Sequence, residues 1–184
     1  VSDEVRVEVD KASLQRMMRK LSAYPAAMKR VRRRVISKSV TWVQSQAVRK
    51  LARINAVPLK VLRGQKGRGK RVFVKRPSYN ESSGSVWLGT LPVKAIYVGK
   101  PRVLKRKGGV RIGKHYFAGA FLATMPSGHT GIFKRKGEAR LPIQEQFVKL
   151  EGADQVADDI RIRLPVRMTE LMRQELRFEL SKVN

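Results

Sequence analysis

The sequence predicts an α+β protein: a long helix near the amino terminus, a mostly antiparallel sheet in the middle and a helix at the carboxyl end. Two observations lead there. Apolar residues recur at helical spacing between Leu14 and Ile54 and again after Pro165, while from Val72 onward they alternate with a period of two. A chain of 184 residues with 42% hydrophobic content suits one domain over residues 1–184.

Val5, Val7 and Val9 alternate with polar residues as in a half-buried strand. Asp10 offers an N-cap for a short helix carrying Leu14, Met17, Met18 and Leu21, which Tyr24-Pro25 breaks. Pro25 suits the first turn of a second helix, since its missing N–H is not needed there. That helix runs to about residue 54 with Met28, Val31, Val35, Val43, Ala47, Leu51 and Ile54 on one stripe, spanning about 45 Å. Val57–Leu62 adds a helical turn, and Gly64–Arg71 reads as a flexible basic loop. Val72 and Val74, Val86 and Leu88, then Ala95–Val98 read as strands. Residues 99–114 read as a basic hairpin or mobile loop. Tyr116–Met125 reads as one apolar strand, Ser127-Gly128 as its turn and Ile132-Phe133 as the start of the return. Leu141-Pro142-Ile143 is a short extended segment. Residues 152–159 form an acidic connection, and Pro165 opens the last helix, with Met168, Met172, Leu176, Leu180 and Val183 along one side.

The charge is lopsided. Lys and Arg number 41 against 14 Asp and Glu, a net +27, and residues 11–137 hold 32 of those cations with a single acid, Glu81. Such a stretch cannot neutralise itself, so its repulsion calls for counterions or a polyanion. Phosphate backbones reward many weak basic contacts, which points to sequence-independent nucleic-acid contact. The candidate DNA-facing residues are Lys66, Arg68, Lys70, Arg71, Lys105, Arg106 and Lys107. No helix-turn-helix, zinc-finger or basic-zipper pattern accompanies them, so nothing indicates base reading.

Other chemistry finds little support. The absence of cysteine excludes disulfides, thiolate metal sites and a cysteine nucleophile. No apolar run approaches the ~18 residues of a membrane span, so no membrane partner is expected. Val1-Ser2-Asp3-Glu4 does not read as a secretory signal. Gly64-x4-Gly69-Lys70 nearly matches a phosphate-cradling loop, but Arg71 stands where Ser or Thr should hold magnesium. His115 and His129 have no ligand at metal spacing. Glu170, Glu175 and Glu179 alternate with Arg167, Arg173 and Arg177 as on a solvated helix face. No catalytic residue, cofactor or metal is therefore expected.

Phe117-Ala118-Gly119-Ala120-Phe121, Met125-x-Ser127-Gly128-His129-x-Gly131-Ile132-Phe133-Lys134-Arg135 and Arg140-Leu141-Pro142-Ile143 together resemble the prophage minor tail protein Z family. Gly119, Phe121, Gly128, Gly131, Phe133, Arg135, Leu141, Pro142 and Ile143 carry the likeness. The chain departs from the family's pattern after Ile143: Gly152-Ala153 stands where a Gly-Pro pair is usual. The resemblance implies a non-enzymatic virion protein, made in the host bacterial cytoplasm, at the head-proximal end of a phage tail. It also implies a ring, sixfold, that completes the tail and joins it to the head. Its partners would be further copies of itself, the tail tube or tail terminator, head-completion or connector proteins, and viral double-stranded DNA bound non-specifically. The alternative from charge alone is a sequence-independent nucleic-acid-binding protein outside the virion.

Overall fold

A computed structural model of the chain describes residues 11–64, 71–78, 83–89, 91–106 and 108–182. Helix α1 (Lys11–Ser22) is followed after Tyr24 by α2 (Pro25–Ile54), so the proline opens the long helix as its fixed φ favours. Asn55 and Ala56 end α2: Ala56 takes the left-handed conformation and the Val57 amide reaches back to the Ala52 carbonyl. Then come α3 (Leu59–Arg63), β1 (Val72–Lys75), β2 (Ser85–Leu88), β3 (Val93–Lys94), β4 (Pro101–Val103), β5 (Gly109–Ile112), β6 (His115–Ala118), β7 (Ala120–Thr124), β8 (Thr130–Arg135), β9 (Ile143–Glu145), β10 (Phe147–Val148) and α4 (Ala153–Leu180). The strands form the sheets β1–β2, β10–β3, β4–β5–β6 and β7–β8–β9. Ladders β10–β3, β4–β5–β6 and β7–β8–β9 are antiparallel. The architecture is the α+β arrangement expected.

Four expectations need correction. Ala95–Tyr97 is a 3-10 turn, with only Val93–Lys94 extended before it. The apolar run from Tyr116 is two strands in different sheets, because Gly119 at φ 67° turns the chain between them. The last helix begins at Ala153, so the acidic connection is its first turns and Pro165 lies inside it. Val156, Ile160, Leu171 and Leu176 are buried on both sides of the proline, and their packing offsets its one missing backbone bond. The helical turn expected at Val57–Leu62 is α3, shifted to Leu59–Arg63, and of the two forms expected for residues 99–114 the pairing of β4 with β5 shows the hairpin. The expected first strand and its Asp10 cap, most of the 64–71 loop and Val183 lie outside the described residues.

The chain divides into two compact units. One, drawn from residues 1–46, 74–87 and 157–184, is centred on Leu21, Ala27, Val31, Val35, Leu171 and Leu176. Met17, Met28, Met168 and Met172 pack around this core; their flexible thioethers fill gaps between helices. The other unit, drawn from residues 47–73 and 88–156, buries Val48, Leu51, Leu62, Val72, Val110, Ile112, Ile132 and Val148.

Buried Asn55 fastens the end of α2 within the second unit. Its amide donates to the carbonyls of Leu51 at 2.9 Å and Glu151 at 3.0 Å, and its carbonyl accepts the Glu151 amide at 2.8 Å. Asn55→Ala is expected to cost about 1.5 kcal/mol, because it orphans groups that water cannot readily reach. A denaturation midpoint lowered at unchanged m-value checks this.

Candidate functional site

In the first unit, α2 places Arg30, Arg34 and Lys38 one helical turn apart, and α4 places Glu175 and Glu179 one turn apart. The two rows face each other antiparallel. Glu179 accepts from Arg30 Nη2 at 2.9 Å, Arg34 Nη1 at 2.5 Å and Lys182 Nζ at 3.1 Å. Glu175 pairs with Lys38 and, at 3.5 Å, with Arg34. Both carboxylates are buried, at 5% and 1% side-chain exposure, while the three α2 cations keep from a third to a half of theirs. The hydrogen bond from Arg30 is the main cause that lowers the Glu179 carboxyl to about pKa 2. It acts with Lys182 and Arg34 against the burial that would raise it. Above this ladder, Arg30, Arg33, Arg34, Ser37 and Lys38 line a groove of about 420 Å³.

This arrangement corrects the solvated-face reading of Glu175 and Glu179. Only Glu170, paired with Arg167 at 2.8 Å, behaves as that reading expected. It also corrects in part the inference that the repulsion within the acid-poor middle calls for counterions or a polyanion. Three of its cations are neutralised by carboxylates from the last helix. A signal was present: Leu171, Glu175 and Glu179 are spaced by four, so both acids share the buried face.

The predicted basic residues fare differently from one another. Lys66, Arg68, Lys70 and Lys107 lie outside the described residues. Arg71 is half-buried and donates to the carbonyls of Leu91 at 2.9 Å and Pro92 at 2.8 Å, which makes it a staple between chain segments. Lys105 and Arg106 are exposed in the turn between β4 and β5. The structure groups them with Arg102 and Arg111, exposed on the two strands of the same hairpin. Sequence reading did not single out that pair, because strand register is not visible in composition.

The residues of the family-like block build a hairpin. Phe121 and Phe133 stand opposite each other on β7 and β8, with ring centroids 6.4 Å apart. The Arg135 guanidinium lies 5.4 Å from the Phe121 centroid and donates to the Arg140 carbonyl at 2.8 Å. Gly128, at φ 79°, closes the turn, its amide donating to the Met125 carbonyl. At Gly131 a Cβ would stand 2.9 Å from the Phe133 ring and 3.1 Å from Glu145 Oε1, so only glycine fits without displacement. The Glu145 carboxylate joins Lys94 at 2.9 Å to His129 at 2.8 Å. The 141–142 peptide is cis, Leu141 is exposed and Ile143 opens β9.

Such a block can hold a scaffold; its side chains stack, cap and pair with one another. Among the described residues no group of three or more His, Cys, Asp or Glu could hold a metal ion. No helix among them is long and apolar enough to cross a membrane. Compared with known proteins, the chain matches the family model described as prophage minor tail protein Z over residues 12–183. No curated protein and no solved structure matches it.

Proposed function

We propose that this chain, which belongs to the prophage minor tail protein Z family, completes the head-proximal end of a phage tail and helps join it to the head around the DNA channel. A structural role in the tail follows from the family. The finer placement is our reading, as is the absence of enzymatic activity. The family match over residues 12–183 carries it. Charge supports it: a ring repeats each subunit's surplus cations by symmetry, and a net +27 per chain gives a strongly positive collar. In this reading six copies form the ring, and it touches the tail tube or terminator on one side and head-completion or connector proteins on the other. Duplex DNA passes through the middle, held by phosphate contacts without base reading.

Electron microscopy of virions carrying a gold-labelled copy tests the placement. The label is expected at the junction of head and tail. A label at the distal tip or along the tube would refute the head-proximal placement and leave the tail role standing.

A further inference from the structure

The sheet β4–β5–β6 has two unlike faces. Val110 and Ile112 of β5 are fully buried, and Arg111 between them is exposed. The register sets Arg102 of β4 directly opposite Arg111, and Arg111 directly opposite Tyr116 of β6. Directly opposed residues share a face of the sheet, so the outer face carries an Arg102–Arg111–Tyr116 row across three strands. The Tyr116 hydroxyl donates to the Gly108 carbonyl at 3.2 Å, tying the ring to the start of β5. Lys105 and Arg106 occupy the adjoining turn, and residues 101–118 hold six cations and no acid.

We infer that this outer sheet face seats the phosphate backbone of a nucleic acid, with Arg102 and Arg111 contacting phosphates and Tyr116 walling one side. The inference rests on the DNA-path reading above and assigns it to particular residues. Like charges directly opposite one another repel, and opposed arginines burden the hairpin that carries them. Among the described residues neither arginine has an ion pair, in contrast to Arg30, Arg34 and Lys38, whose carboxylates are built in. The compensating charge must therefore come from outside. Opposed side chains stand about 5 Å apart at Cβ, so the anion must bring closely repeated charge. A duplex carries one charge per ~1.7 Å of axis and supplies that continuously. An isolated carboxylate on a protein partner does not. Arg102, Arg111 and Tyr116 are all exposed, which suits a backbone lying across the row.

The test is fluorescence anisotropy on a 30-base-pair duplex of random sequence, with the whole chain, from 50 to 200 mM salt. R102T/R111T is expected to bind more weakly at 50 mM and to flatten the salt dependence. Two lost phosphate contacts lower the slope by about 1.8, which shrinks the affinity drop across that range about tenfold. Its melting temperature is expected to equal or exceed that of the parent, since cross-strand repulsion is gone. R102K/R111K keeps the charge and is expected to keep the slope, which guards against a folding defect in the Thr pair. K60Q/R63Q removes equal charge from α3 and is expected to leave the slope unchanged. The assignment is overturned if the parent does not bind the duplex, if R102T/R111T binds as the parent does, or if K60Q/R63Q loses as much. Polyglutamate bound as tightly as DNA would overturn it in favour of an acidic protein partner. None of these results bears on the head–tail placement, which the virion image decides.

Discussion

Glu179→Ala is expected to lower stability by about 2–3 kcal/mol. Removing one member of a buried ion pair costs about 3–5 kcal/mol, and solvent screening of the half-exposed arginines reduces that. The effect carries a pH signature. The Glu179 carboxyl titrates at about 2 in the folded chain against an ordinary 4.5, so the unfolded chain binds its proton first as pH falls. Its contribution is fully present above about pH 4.5 and disappears as pH approaches 2. Denaturant midpoints measured from pH 5 to 2 are expected to fall more steeply for the parent than for the variant. Parallel curves would show that the ladder does not supply this stability.

Gly109→Ala is expected to cost about 3 kcal/mol or more. The residue sits at φ 151°, where a side chain is strained by about 1–3 kcal/mol. An added Cβ would also lie 2.5 Å from the Phe117 carbonyl oxygen and 3.2 Å from the Ala118 Cα. Those are backbone atoms of β6, paired with β5 in register, so relief requires the strands to part. Gly108→Ala is the matched comparison: its φ is 61° and nothing lies within 4 Å of the added carbon. It should cost about 1–2 kcal/mol, the left-handed penalty alone. Equal thermal shifts for the two variants would refute the clash.

Much of this fold can be read from local chemistry. Pro25 marks a helix start whether or not the tertiary structure is known, and the stripe from Val31 to Leu51 needs a long helix to make sense. Pro165 misleads for the same reason that Pro25 informs: the residue suits a first turn, yet α4 continues on both sides of it, with Val156 and Ile160 buried before it. The run from Tyr116 to Thr124 hides its break, since a strand's apolar residues do not say which sheet they join and only Gly119 hints at the turn. The family-like block was legible as a hairpin, and its pairings bear that out. The ion ladder was not. Glu175 and Glu179 look like ordinary surface acids beside Arg173 and Arg177 until their four-residue phase with Leu171 is set against Arg30 and Arg34, some 145 positions away. Strand register likewise decides that Arg102 meets Arg111, and no run of sequence displays it.

Because α4 supplies carboxylates to the most cation-dense turns of α2, density along the chain is a poor guide to accessible charge. A mutational scan ordered by Lys and Arg frequency would start at residues 29–38 and record unfolding there. Ordered by what a visiting anion can reach, it would start at the two strands flanking Lys105 and Arg106.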